Sequence, residues 1–188
     1  MVKIQTEGTP NPNALKFVLD KELVSKGTFN FTGKETCANS PLALRLFNIT
    51  SIKEILIAKN FITVSKDPYT DWNELYDKVI ETINKHFDSG EVAISKIEEL
   101  DVKSENNSEN DSANNIEQKI KDILDSQIRP AVASDGGDII FDSYQDGILR
   151  LHLQGACSSC PSSIMTLKSG IEAMLKRQIP ELKEVISV

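Results

Sequence analysis

The sequence predicts an α+β protein made of two small α/β-sandwich-type domains joined by a flexible acidic and polar linker. One observation is the segment KSENNSENDSANN, Lys103 to Asn115, which contains one alanine and no larger apolar side chain. Such a segment cannot bury enough apolar surface to offset the entropy lost on ordering. A second observation is that strand and helix patterns occur on both sides of it. We therefore expect domains at residues 1–90 and 116–188 and a linker at residues 91–115.

The negative charge of the chain is concentrated in the predicted linker. The formal net charge is −7, and residues 91–115 carry 7 acidic and only 2 basic side chains. No basic patch is present, so the sequence gives no electrostatic support for nucleic-acid binding. No apolar run is long enough to span a bilayer, and MVKIQTEGTPNPN at the start has neither a secretory nor a transit pattern. With 3 cysteines, an odd number, we expect a cytoplasmic protein of bacterial type with no membrane partner.

In the first domain, the strands come from short apolar runs separated by turn residues. IQTEGTP and ALKFVL read as strands on either side of the TPNPN loop, whose prolines and asparagines exclude a helix. IKEILIA and FITVS flank Lys59 and Asn60 and are typical of a hairpin. Three of these four runs contain β-branched side chains at several positions, which favours extended structure.

Two helices are expected in the same domain. Ser40 and Pro41 form an N-cap and first-turn pair for a short helix that continues to Phe47. Asp71 then caps a longer helix. His86 lies near the end of this helix, where a protonated imidazole would suit the helix dipole. Its apolar positions recur at helical spacing and more often form a core than a partner groove: Trp72, Leu75, Tyr76, Val79, Ile80, Ile83 and Phe87.

The second domain is expected to run in the order helix, hairpin, cysteine loop, helix and strand. Its first helix is predicted to end at Arg129–Pro130. Asp146–Gly147 is a strong hairpin turn signal. Pro161 opens the second helix, and ELKEVISV closes the chain as a short strand. The apolar positions that support the two helices are Ile116, Ile120, Ile123, Leu124, Ile128, Ile164, Leu167, Ile171, Met174 and Leu175.

The stretch GACSSCPSS contains the residue pair with the clearest chemistry, Cys157 and Cys160. The pair lies between a strand end and a helix start, where unsatisfied backbone N–H groups stabilise thiolates. Two thiolates are half of the four ligands that zinc or an iron–sulfur cluster usually takes. No third cysteine or histidine stands nearby to complete the set.

Four uses of this pair are compatible with the residues alone. The thiols could be small buried side chains or a casual disulfide, a dithiol oxidoreductase of thioredoxin type, or part of a zinc-stabilised interaction module. The thioredoxin fold needs more chain than the 28 residues that follow Cys160. The fourth use is half of a metal site completed by the same pair from a second chain across a two-fold axis. This use explains why no further ligands stand nearby.

Other candidates are assigned structural roles. Cys37 has no partner in its domain and is expected to be a structural thiol. His152 alternates with Leu149, Leu151 and Leu153 and is expected on the exposed side of its strand. SDGGD, Ser134 to Asp138, is predicted to be a turn that brings backbone close to the cysteine loop.

Two sets of motifs resemble one known family. SDGGDI and GACSSCPSSIMTLKSGIE closely resemble the NifU-like C-terminal module of the Nfu iron–sulfur scaffold and carrier proteins. TPNPNALKF, SPLALRLF, NFITV and DWNEL resemble the Nfu N-terminal domain. Together they account for nearly all of the chain except residues 91–115. Ser159, where the family pattern has glycine, is the one departure that we note.

The resemblance implies a cargo and partners. Cys157 and Cys160 from each of two chains would hold a [4Fe-4S] cluster in a homodimer, and a [2Fe-2S] form is left open. Upstream cluster assembly proteins would load the cluster, and apo iron–sulfur client proteins would receive it. The protein would then be a carrier, and we expect no enzyme. The N-terminal domain would contact partners or modulate the cluster module.

Overall fold

The computed structural model describes residues 2–95, 111–158 and 161–188. Within these residues the chain forms two mixed α+β units, and each unit has a hydrophobic core of its own. The predicted fold class is therefore confirmed. Ser159, Cys160 and most of the predicted linker lie outside the described residues.

The N-terminal unit is built on an antiparallel sheet of five strands in the order β1–β2–β5–β4–β3. Its strands are Ile4–Gly8 (β1), Ala14–Leu19 (β2), Phe29–Phe31 (β3), Ile52–Ile57 (β4) and Phe61–Lys66 (β5). β4 and β5 form the predicted hairpin, which is closed where the N–H of Ala58 donates to the carbonyl of Phe61 at 2.9 Å. β1 and β2 pair on either side of the TPNPN loop, as expected.

Two helices, Pro41–Leu46 (α1) and Trp72–Asp88 (α2), share a core with this sheet. The side chain of Ser40 accepts a hydrogen bond from the N–H of Ala43 at 3.0 Å, and Asp71 accepts one from Asn73 at 2.8 Å. These caps satisfy N–H groups that the first turn of a helix leaves without partners, so both predicted helix starts are confirmed. The shared core includes Phe17, Leu42, Leu46, Ile55, Ile57, Ile62, Val64, Leu75, Val79 and Ile83.

The C-terminal unit begins with a continuous helical run in three parts. These are Asp111–Ile123 (α3), a π-helical turn at Leu124–Ile128, and Arg129–Ser134 (α4). α3 starts inside the segment that the sequence predicts as linker. The predicted helix end at Arg129–Pro130 is wrong, because the proline falls at the start of α4 and the helical run continues through it. The wider π turn before it lets the chain continue in the helical direction.

A three-stranded sheet completes this unit in the order β6–β7–β8. Gly137–Gln145 (β6) and Ile148–Gly155 (β7) form the predicted hairpin, and Glu184–Ser187 (β8) pairs with β7 in parallel. The turn residues Asp146 and Gly147 both have positive φ, 54° and 85°, as the hairpin signal requires. Pro161–Gln178 (α5) crosses between β7 and β8. No helix in the described ranges combines the length and apolar character that a membrane crossing requires.

The second face of the N-terminal sheet is also buried. A sheet covered by helices on one side commonly leaves its other side in water. Here every residue of β5 is buried, and so are Glu54 and Leu56 on the neighbouring strand. Leu56 and Phe61 pack with Ala133 of the C-terminal unit. The two units therefore meet across this face.

His86 near the end of α2 is fully buried. Its Nε2 lies 3.1 Å from the carbonyl of Val92, so this nitrogen carries the proton and donates it. Burial, followed by the nearby Arg45 guanidinium, lowers the pKa of His86 below its usual value of 6.5. The protonated ring that would suit the helix dipole is therefore disfavoured, because desolvation of the charged ring outweighs that interaction.

We predict that acid destabilises this unit through His86. The unfolded chain takes up the proton near pH 6.5, whereas the folded chain resists it, so the free energy of unfolding should fall as the pH drops below that value. His86→Gln, whose amide can still donate to Val92, should flatten this part of the pH dependence. Urea unfolding of both proteins at about pH 7 and about pH 5.5 measures the effect. If the free energy of unfolding falls equally in the two proteins between these pH values, His86 is not the source of the pH dependence.

Candidate metal centre in the cysteine loop

The cysteine loop, residues 155–160, connects the last residue of β7 to the start of α5. Gly155 has a φ of 65°, a left-handed conformation that glycine adopts without strain. A tight turn follows, in which the N–H of Ser158 donates to the carbonyl of Gly155 at 3.2 Å. Of the two predicted ligands the structure describes Cys157, and Cys160 lies outside the described residues.

The side chain of Cys157 points into the protein. It is 6% exposed and belongs to the hydrophobic core of the C-terminal unit. A Cβ atom added at Gly137 would lie 2.5 Å from its Sγ, so the thiol packs directly against the backbone at the start of β6. In this conformation Cys157 occupies the place of a small apolar side chain.

The SDGGD turn approaches the cysteine loop, as the sequence predicts. The carbonyl of Gly136 accepts a hydrogen bond from the N–H of Ala156 at 3.2 Å. Gly136 has a φ of 78°, and Gly137 leaves room for the Cys157 thiol. Gly136 thus permits the backbone conformation of the turn, and Gly137 permits the close packing of the thiol.

The other sequence candidates lie in their expected surroundings. Cys37 is buried in the N-terminal core, where burial raises the pKa of its thiol and its Sγ lies 3.3 Å from the carbonyl of Gly33. His152 is exposed, with its Nδ1 2.9 Å from the carbonyl of Val188. Among the residues that the structure describes, no three His, Cys, Asp or Glu side chains group closely enough to hold a metal ion. A complete ligand set is therefore not assembled within that part of one chain.

Glu54 contacts the cysteine loop from the other unit, and sequence reasoning missed it. Its carboxylate accepts a hydrogen bond from the N–H of Gly155 at 3.0 Å and another from the hydroxyl of Ser158. The available signal was a carboxylate at the third position of IKEILIA, a strand pattern in which every residue but Glu54 and Lys53 is apolar. In the structure the side chain at this third position is buried. Asn11, in the TPNPN loop, adds a third contact by donating to the carbonyl of Ala156 at 3.1 Å.

Comparisons with known proteins identify the family. A family model described as Scaffold protein Nfu/NifU N terminal matches residues 4–90, and one described as NifU-like domain matches residues 120–186. The chain is 43% identical over 186 residues to the human protein named NFU1 iron-sulfur cluster scaffold homolog, mitochondrial. This chain belongs to the Nfu family of iron–sulfur cluster scaffold proteins. The Nfu resemblance seen in the sequence motifs is therefore confirmed.

Other relatives extend the comparison. The Nfu protein of Drosophila persimilis, with the same name as the human one, is 39% identical over 186 residues. The alignments cover 98% of this chain, but only 71% of the human protein and 64% of the fly protein. A solved structure of a NifU-like protein from Saccharomyces cerevisiae is 27% identical, covering 52% of this chain and 87% of that one, with a TM-score of 0.47.

We predict that the contact between Gly137 and Cys157 fixes the position of the cysteine loop. Gly137→Ala would place a methyl group 2.5 Å from the sulfur and should lower the free energy of unfolding by about 1–3 kcal/mol through overpacking. Gly170→Ala is the matched control, because a Cβ there meets nothing within 4 Å and alanine favours the helix. Urea unfolding measures both variants. Equal stability of Gly137→Ala and the unchanged protein would contradict the packing.

Proposed function

We propose that this Nfu protein carries a [4Fe-4S] cluster held between two identical chains by Cys157 and Cys160 of each. The observation that carries the proposal is the pair itself, two thiols at the start of a helix in a chain of the Nfu scaffold family. Two such pairs related by a two-fold axis make the four thiolates that the cluster takes.

Loading requires a change at Cys157. A thiol that is 6% exposed cannot bind iron shared with another chain until it leaves the core. We propose that the loop swings away from Gly137 and presents both cysteines at the chain surface. Gly155 permits the backbone change at one end of the loop. A [2Fe-2S] cargo would be held by the same four thiolates.

Transfer is ligand exchange and not catalysis of a bond-making reaction. A cluster at an interface between short loops can be approached by the thiolates of an apo-protein, which replace the four ligands one at a time. The protein is therefore proposed to be a carrier and not an enzyme. Its partners would be upstream cluster assembly proteins and apo iron–sulfur clients.

Three further assignments are part of the proposal. The N-terminal domain would hold a client while the C-terminal domain delivers, which raises the local concentration of the recipient. The domain bounds are proposed as residues 1–90 and 116–188, with a linker between them. The cytoplasm is the proposed compartment, although the human and fly relatives carry the word mitochondrial in their names. Localisation of the full-length protein in its source organism tests that last point.

We predict that Cys157→Ser and Cys160→Ser each abolish cluster retention, because removing one ligand per chain removes two from the shared site. The measurement is anaerobic reconstitution with iron and sulfide, followed by visible absorption, iron and acid-labile sulfide analysis, and native mass determination. The unchanged protein should gain one cluster per two chains and become dimeric. Cys37→Ser is the matched control and should retain the cluster, since Cys37 lies in the N-terminal core.

Other outcomes of this experiment favour other functions. A single chain that holds a complete cluster by itself would contradict sharing. Zinc without acid-labile sulfide would indicate a zinc-stabilised module, and a reversible disulfide without metal would indicate an oxidoreductase.

A further inference from the structure

The face of the N-terminal sheet that points away from α1 and α2 is unusually polar for a buried surface. It carries Glu54, Thr63 and Ser65, which are 8%, 0% and 3% exposed. These residues alternate along their strands with the side chains that face the helices. The role of this face depends on which part of the chain packs against these three side chains.

The cover is the region around Cys157 in the same chain. A Cβ at Gly155 would lie 2.7 Å from Leu56 Cδ2, and a Cβ at Gly136 would lie 3.0 Å from Thr63 Oγ1. Both glycines therefore allow a close approach of the C-terminal unit to this sheet, in addition to their positive φ angles. These two close approaches involve the turn and the loop that surround the candidate ligand.

Glu54 forms the polar centre of this contact. Its carboxylate is largely removed from water, and a buried carboxylate is costly unless it accepts hydrogen bonds. One oxygen accepts from the N–H of Gly155 at 3.0 Å, and the other accepts from the hydroxyl of Ser158. Both donors flank Cys157 in sequence. The carboxylate thus fixes the loop on either side of the thiol.

Further contacts hold the same surfaces together. Lys16 Nζ donates to the carbonyl of Ser134 at 3.3 Å, and the hydroxyl of Thr28 donates to the carboxylate of Asp138. The contact therefore extends beyond the cysteine loop to the end of α4 and the start of β6.

The contact between the two units also has a feature that is typical of interfaces that separate. Within the described part of the chain, the hydroxyls of Thr63 and Ser65 are buried without a hydrogen-bond partner. Thr63, which lies against Gly136, loses its hydration in the closed form and regains it when the units separate. Interfaces between domains of one chain commonly resemble transient protein interfaces in this respect. A permanently closed surface would be expected to satisfy or replace such groups.

We propose that Glu54 is a positioning residue that docks the N-terminal sheet on the cysteine loop and holds the metal-free chain closed. In the closed form the sheet covers one side of the loop, Cys157 stays in the core, and two loop donors are engaged by Glu54. A second chain competes with the sheet for this loop. This consequence for loading rests on the proposed function, whereas the closed contact does not.

The first test uses the metal-free, reduced full-length chain and the rate at which iodoacetamide alkylates each cysteine, read by peptide mass analysis. Glu54→Ala should raise the rate at Cys157 by about tenfold or more, because charge-assisted hydrogen bonds to the loop are lost. Glu54→Gln, which keeps the size and one acceptor oxygen, should give an intermediate rate. Glu22→Ala is the matched control, since Glu22 is an exposed carboxylate that lies 3.7 Å from Lys59. Its rate should equal that of the unchanged protein.

Cys37 is an internal control for unfolding. It is buried in the N-terminal core, away from this contact, and should stay slow in every variant that folds. If Cys37 is also alkylated faster in Glu54→Ala, that variant is unfolding, and Thr28→Val takes its place. Thr28→Val removes the hydrogen bond to Asp138 and so weakens the same docking without changing a contact of the cysteine loop. Unchanged Cys157 rates in the folded variants would overturn the proposal.

The second test separates this proposal from the proposed function. Under anaerobic reconstitution, Glu54→Ala should acquire the cluster faster than the unchanged protein, because the loop no longer has to leave the sheet. If Glu54→Ala is alkylated faster at Cys157 but the unchanged protein acquires no cluster, the proposed function is refuted and the closed contact stands. Equal loading rates together with equal alkylation rates would refute the closed contact alone.

Discussion

The arrangement around Cys157 depends on the close approach of three glycines. Gly137 lies against the sulfur, Gly136 accepts a hydrogen bond from the loop, and Gly155 lies against the N-terminal sheet. A side chain larger than hydrogen at any of them would displace either the thiol or the neighbouring unit. The position of the candidate ligand is thus set by backbone packing from two directions, and Glu54 supplies the polar contact between them.

This arrangement gives the same residues two uses. In the described conformation, Cys157 fills a core position and the loop donors satisfy Glu54. In the proposed cluster-bound form, the thiol and the loop face a second chain. Both uses fit a carrier, because a site that must accept and surrender its cargo benefits from a stable empty state.

The sequence predicts most of the local structure, since caps, turns and periodic apolar positions act over a few residues. Ser40, Asp71 and the Asp146–Gly147 turn lie where their signals place them. The helix end at Arg129–Pro130 was wrong because proline is tolerated in a first turn and a π turn precedes it. The lowered pKa of His86 could not be predicted, because the burial of this side chain depends on how distant segments pack.

The candidate site was only partly predictable for the same reason. The CxxC pair and the role of SDGGD follow from spacing and from glycine geometry. Glu54 contacts Ser158 across 104 positions of sequence, and no local pattern reports which surface a strand residue will meet. The inward direction of Cys157 likewise depends on packing between β6 and β7.

The presence of two separate hydrophobic cores has a consequence for how the chain responds to its surroundings. Each unit can remain folded while the contact between them breaks, so opening does not draw on the stability of either core. The fraction of open molecules then depends on the strength of one interface, with its polar and apolar contacts, and on the effective concentration that a shared polypeptide imposes. A small change in either quantity alters the population that is ready to receive cargo, without altering the fold.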